Sequence, residues 1–212
     1  MKKYNGIQPE GNYYDKYNSK NIIVQWMMRK YFKDLDSLLP KAKDEIRILE
    51  AGCGEGEVAV HIAKHYQERC KIDAFDISEQ VITYAQNKFP DIRFTQGNIY
   101  DIADSVDCSG EGYGLVLCCE VLEHLEYPEK ALEQLTYVSD EYMIVSVPSE
   151  PIWRLLNIIR GKYLKDFGNT PGHIQHWSCR KFVDFLRKSG MKVEKIKKPL
   201  PWTMVLLKKD KY

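Results

Sequence analysis

Glu50 and the three glycines after it, Gly52, Gly54 and Gly56, are the residues of this chain best suited to holding a ligand. They close the short apolar run that starts at Ile46, so a carboxylate stands at the end of a strand and a glycine turn opens the next helix. Such a turn bends tightly and exposes backbone N–H groups at the carboxyl end of a first strand, where nucleotide-binding α/β folds seat their ligands. The spacing excludes one ligand class: a dinucleotide fingerprint G-x-G-x-x-G requires a third glycine where Glu57 stands. Asp76 comes twenty residues after Gly56, at the place where these folds put a carboxylate for ribose hydroxyls. The plain alternatives are a strand-to-helix turn without a ligand and an ordinary turn residue at Asp76.

A second constellation is Glu120, Glu123 and His124. At i, i+3 and i+4 on a helical turn, two carboxylates and an imidazole would project from one face. Oxygen and imidazole donors with open positions suit Mg²⁺ or Mn²⁺ better than structural zinc. Alternatively His124 is a general base and the two glutamates satisfy neighbouring groups. Further on, His173 and His176 flank Trp177 and offer a base or a further ligand, with capping and packing as the competing roles.

The elements that position these residues follow from pattern. Strands are expected at 46–50, Lys71–Phe75, Arg93–Gln96, Leu115–Cys119 and Tyr142–Val147, with helices between them that include one capped by Ser78 and one over Pro128–Val138. Residues 104–114 read as a loop. That alternation predicts a parallel sheet with helices on both faces. After a Ser178–Ser189 helix stopped by Gly190, strands at Lys192–Ile196 and Trp202–Leu207 are joined by too few residues for a crossover and must pair antiparallel. Residues 1–40 form an N-terminal segment: a tyrosine-rich stretch (Tyr4, Tyr13, Tyr14, Tyr17), then a helix capped by Ser19 with Ile23, Trp26, Met27, Tyr31 and Leu38 near one face. That helix either packs on the sheet or acts as a lid, with a tyrosine of the 11–17 stretch near the ligand. The rest, 41–212, reads as one domain with an insertion at about 149–177. In the insertion Trp153, Leu156 and Ile159 suggest an apolar face, while Arg154, Arg160, Lys162 and Lys165 outnumber Asp166; it is a hydrophobic, anion-tolerant acceptor pocket or an amphipathic lid.

Composition sets the outer bounds. Lysine and arginine number 31 and aspartate and glutamate 30, so a net charge of +1 gives no general case for nucleic acid or membrane binding. No signal peptide and no membrane-spanning apolar run is legible, and the six cysteines contain no Cys-x-x-Cys pair; a cytoplasmic location is the expectation.

The Glu-x-Gly-x-Gly-x-Gly run at 50–56, with Asp76, Asn98 and the Glu-Val-Leu-Glu-His-Leu block at 120–125, resembles the class I S-adenosylmethionine (SAM) methyltransferases, in particular the subgroup that includes the ubiquinone-pathway O-methyltransferases. The resemblance implies a Rossmann-like, seven-stranded, mostly parallel sheet ending in an antiparallel hairpin. It implies SAM as cofactor, held by Glu50, Ala51, Gly52, Cys53, Gly54 and Gly56, with Asp76 and Ile77 at the ribose. Asn98 and Ile99 would meet the adenine, Cys119 and Glu120 would border the adenosine, and Leu125 would lie near the transferred methyl. The implied reaction is methyl transfer to a small molecule, at a hydroxyl deprotonated by His124, His173 or His176. The Glu-x-x-Glu-His set also resembles that of small-RNA 3′-end 2′-O-methyltransferases, where a metal activates the accepting hydroxyl. An RNA acceptor is disfavoured by the balanced charge and the lack of an accessory RNA-binding domain. A non-catalytic SAM-binding partner subunit and a nicotinamide oxidoreductase are the rival classes.

Overall fold

The computed structural model describes residues 17, 19–42, 44–106, 112–161 and 163–210. Its centre is a seven-stranded sheet built from β1 (Ile46–Ala51), β2 (Cys70–Asp76), β3 (Arg93–Gln96), β4 (Tyr113–Cys119), β5 (Ser139–Pro148), β6 (Lys192–Lys197) and β7 (Trp202–Lys208). The strand order is β3-β2-β1-β4-β5-β7-β6. β1 to β5 run parallel, and β7 is antiparallel to both β5 and β6, as the short link between the last two strands requires.

The central strands are covered on both sides and their alternate residues go to different cores. Leu49, Ala51, Val116 and Val145 pack with Leu132 and Leu135 of α5 (Pro128–Val138) and Phe182 and Leu186 of α7 (Cys179–Leu186). Ile48, Leu115, Leu117 and Ile144 pack on the other side with Leu35 of α1 (Ile22–Asp36) and Val58 and Ile62 of α2 (Glu57–Tyr66). Glu50 alternates with Leu49 and so shares the face of α1 and α2. The chain winds from β1 out to β3 and then returns to β4, leaving a crevice at the carboxyl ends of β1 and β4, where ligands bind in open α/β sheets.

Three local expectations are corrected. Asn21, not Ser19, caps α1: its Oδ1 accepts the Ile23 and Val24 N–H groups, while Ser19 Oγ accepts the Asn21 N–H. The buried face of α1 is Met28, Tyr31, Asp34 and Leu35, with Leu38 buried just beyond its end; Ile23 is 67% and Trp26 51% exposed, because they lie round the helix from that stripe. The loop expected at 104–114 begins with a one-turn helix, α4 (Ile102–Ser105). Helix α3 (Glu79–Lys88) does start at a Ser78 cap, whose Oγ accepts the Val81 N–H.

Leu35→Ala is therefore expected to cost about 2–5 kcal/mol in urea unfolding, and Ile23→Ser about 0.5 kcal/mol or less; equal losses would contradict the register of α1.

Candidate functional site

The crevice is a cavity of about 380 Å³. At its base β1 ends in Glu50, which is 2% exposed. Its carboxylate accepts the Ala59 backbone N–H from the first turn of α2, a donor that the helix itself leaves without a partner. Its Oε2 has no protein partner among the described residues. Burial, reinforced by the charge of Asp76, pushes the Glu50 carboxyl well above the ordinary carboxylate range. A buried oxygen of this kind is a position for a cationic donor.

The glycine turn is held from β2. Gly52 and Cys53 both donate backbone N–H bonds to the Phe75 carbonyl, and the Asp76 carboxylate accepts the N–H groups of Gly54 and Ser78, each at 3.0 Å. Gly52 has φ +74°, and a Cβ there would lie 2.4 Å from Val121 Cγ2. Gly54 has φ +53° and nothing within 4 Å of where a Cβ would be, so its bare side faces the cavity. Ala51 and Gly56 do not line the cavity. Ala51 points into the opposite core, and Gly56 lies against the Phe94 ring.

Ile77, Asn98 and Ile99 line an adjoining wall. Asn98 Oδ1 already accepts the Tyr100 N–H, and its carbonyl retains a second lone pair. Cys53 and Cys119 also face the cavity. Burial, chiefly, pushes the Cys119 thiol up to about 12, so it behaves as an apolar wall. Tyr17, from the tyrosine-rich stretch, closes over this part. Burial and the nearby charges of Glu50 and Glu120 keep its hydroxyl protonated. Tyr4, Tyr13 and Tyr14 lie outside the described residues.

Beyond β4 the structure rearranges the expected metal set. Glu120 has φ +61°, a left-handed conformation uncommon away from glycine, so the chain turns before the single 3-10 turn Leu122–His124. The single helical face required for Glu120, Glu123 and His124 to act together is not formed. Glu120 is instead held by Trp202 Nε1 and by Ser146 Oγ (3.2 Å), and Ser146 Oγ is bonded in turn to the Tyr31 hydroxyl of α1. Glu123 and His124 are joined by His173, the donor atoms of the three lying within 4.8 Å of one another.

The loop carrying His173 is pinned to this turn. The Glu123 carbonyl accepts the Ile174 and Gln175 N–H groups, and His124 Nδ1 lies 3.0 Å from the Gly172 carbonyl. A carbonyl only accepts, so Nδ1 carries the proton and neutral His124 presents Nε2 as an acceptor. The His173 ring meets that of His124 edge-on at 4.8 Å and stacks on Trp153 at 5.8 Å. His176 is outside the cavity, 3.6 Å from Glu150 Oε1 beside a separate surface cleft.

Trp153 belongs to α6 (Ile152–Ile159), the helix of the insertion, and its Nε1 donates to Thr170 Oγ1. Leu156 also lines the cavity, whereas Ile159, expected on the same face, points outward. Trp202 was not foreseen at the site: it enters from the start of β7 through its pairing with Pro148, and only the hairpin register brings it there. Among the ionisable side chains on the walls, Glu50, Glu55, Glu57, Asp76, Glu120 and Glu123 outnumber Arg160 and two histidines, so the cavity favours a ligand with positive charge.

Comparison with known proteins places the family and the fold. Residues 23–196 match the family model described as "Methyltransferase domain". The ajmaline N-methyltransferase of Rauvolfia serpentina is 25% identical over 159 residues, covering 70% of this chain and 53% of that protein. The ubiquinone biosynthesis O-methyltransferase of Rickettsia canadensis is 23% identical over 159 residues, covering 72% of this chain and 65% of that protein. The chain thus spans about half to two thirds of the length of these curated relatives. Its fold is similar to the crystal structure of the Synechocystis PCC 6803 magnesium protoporphyrin IX methyltransferase with bound SAH, with a TM-score of 0.64 at 17% identity over 91% of this chain and 89% of that one. From the match over most of its length, this chain belongs to the methyltransferase domain family.

Proposed function

We propose that this protein transfers a methyl group from SAM to a small-molecule acceptor, at a hydroxyl. The observation that carries the reading is the buried Glu50 carboxylate, with one oxygen open to an acidic cavity that also bears two imidazoles. These residues fit SAM, whose ammonium and sulfonium outweigh its carboxylate. Glu50 would take the ammonium, Asp76 the ribose hydroxyls and Asn98 the adenine amino group, with Ile77 and Ile99 as apolar walls. Tyr17, α1 and the insertion at about 149–177 would cover the bound molecule.

When bound, SAM supplies an already activated methyl group. The protein's share is then to align the acceptor, exclude water and remove the hydroxyl proton. His124 Nε2 is the base best prepared for that proton, since Gly172 fixes the other ring nitrogen and Glu123 Oε1, 4.0 Å from Nε2, would stabilise the imidazolium. His173 lies against it and can serve the same proton. An open cavity with these groups favours an enzyme over a non-catalytic SAM-binding subunit. A second reading is favoured by one observation. Glu123, His124 and His173 are close enough to share a Mg²⁺ or Mn²⁺ ion, which would lower the acceptor's pKa in place of a histidine base. The N-methyl and O-methyl relatives leave the acceptor atom to experiment.

The Glu50 carboxyl is raised in the folded protein, so a ligand ammonium must select its ionised form. SAM affinity should increase as pH rises through that raised value, with a proton released on binding below it. Without ligand the sign reverses. The fold favours the protonated acid, so its contribution is complete below the unfolded pKa of about 4.3 and declines as pH rises towards the folded value. Glu50→Gln should remove both dependences and weaken SAM by about tenfold or more, the loss of a charged hydrogen bond. Calorimetry in buffers of different ionisation enthalpy reads the proton; unchanged affinity and proton release would refute the role.

With a panel of small phenols as acceptors, His124→Ala and His173→Ala should lower turnover about 10²–10⁴-fold at unchanged SAM affinity. His176→Ala should leave turnover near wild type. Dialysis against EDTA separates the two readings: loss of turnover restored by Mn²⁺ or Mg²⁺ supports the ion, and retained turnover supports the histidine base.

A further inference from the structure

Helix α6 has its polarity inverted for a surface helix. Its neutral polar residue, Asn157, is buried, with Nδ2 donating to the Gly168 carbonyl and to Thr170 Oγ1. Its outer side carries Ile152, Leu155 (56% exposed) and Ile159 (70% exposed) at helical spacing. A helix this apolar on both sides is normally enclosed. The following turn extends the patch with Leu164 and with Phe167, which is 76% exposed. It is fastened to α6 by the Arg154 guanidinium, which donates to the Phe167 carbonyl, and by Gly168, which lies against the Arg154 backbone and Ile158. Helix α1 repeats the arrangement. Val24 and Met27 face the cavity, while Ile22, Ile23 and Trp26 are exposed on its outer side. The two helices are walls of the same cavity, and Val24, Met27 and Trp153 all pack against one core cluster. So large an exposed apolar surface marks an interaction face.

Charge identifies its occupant. The chain as a whole is balanced, but Lys20, Arg29 and Lys33 of the α1 segment are exposed, while Lys30 pairs with Asp34. Near α6, the exposed Lys165 and the half-buried Arg154 adjoin Asp166, while Arg160 lines the cavity. A symmetric dimer would set this basic patch against its own copy, since a two-fold interface meets itself. An anionic bilayer offers what both features need: headgroups for the lysines and arginines, and an apolar layer for the isoleucines, leucines and the interfacial tryptophan.

We propose that the outer faces of α6 and α1 form a docking surface for anionic phospholipid membranes. The protein lies on the bilayer without crossing it; no helix among the described residues is long and apolar enough to span one. Docked in this way, the cavity walls adjoin lipid, and an amphiphilic acceptor can pass from the bilayer into the site. That last consequence rests on the methyl-transfer reading, whereas docking does not.

The test is flotation of the full chain with unilamellar vesicles of phosphatidylcholine alone or mixed with phosphatidylglycerol, alongside sedimentation equilibrium without lipid. The wild type is expected to float with the anionic vesicles, weakly with the neutral ones, and less as salt rises. The variant L155E/I159E, altered at exposed positions that do not line the cavity, is expected to lose about tenfold or more of its partitioning while its SAM affinity and circular dichroism are preserved. Failure of the wild type to float overturns the proposal, as does flotation unchanged by the substitutions. Self-association abolished by L155E/I159E in a protein that ignores vesicles would assign the face to a second copy and also overturn it. Because the readout is lipid binding, a failure of docking and a failure of methyl transfer are separate results.

Discussion

A carboxylate buried at the end of the first strand is expensive to keep, and much of the cavity can be understood as its surroundings. Glu50 takes one N–H from the first turn of α2, so the same contact that partly satisfies the acid also supplies a partner to the helix terminus. The other oxygen faces a cavity whose walls carry more acids than bases. A protein that needed only stability would place a neutral or apolar residue here. On the proposed reading, the cost is recovered when the ammonium of SAM binds.

From that point outward the site is assembled by ties between distant segments. Asp76 of β2 fixes the glycine turn through Gly54. The Glu123 carbonyl and His124 Nδ1 fasten the Gly172–Gln175 loop, which brings His173 to within ring contact of His124. Glu120, in its left-handed backbone conformation, is fixed by Trp202 and Ser146, and Ser146 in turn holds Tyr31 of α1. Backbone strain of this kind persists only where neighbouring bonds over-determine it, and here those bonds connect the end of β4 to the helix over the cavity. The N-terminal helix is thus coupled to the site by a buried polar chain as well as by its apolar face.

Much of this was legible from the residues. The parallel strands and the antiparallel hairpin followed from alternation and from the short link around Pro199, because a crossover helix cannot fit there; the order β3-β2-β1-β4-β5-β7-β6 came from the structure. Glu50, Gly54, Asp76 and Asn98, singled out from the glycine turn and the ends of strands, line one cavity in the structure. The face of α1 was misjudged since Ile22, Ile23 and Trp26 are as apolar as the buried stripe; periodicity does not tell which apolar face meets the protein. The metal set was misjudged because its spacing assumed an α-helical turn where a left-handed residue and a 3-10 turn intervene. Trp202 and the separation of His173 from His176 depend on tertiary register, which local sequence does not encode.

The central claim is that the cavity beside Glu50 is a SAM site. Native mass spectrometry of the chain, titrated in parallel with SAM and with NADH, tests it most directly. One SAM per chain and no NADH adduct is the predicted result. An NADH adduct in its place, or a protein that binds neither, would contradict it.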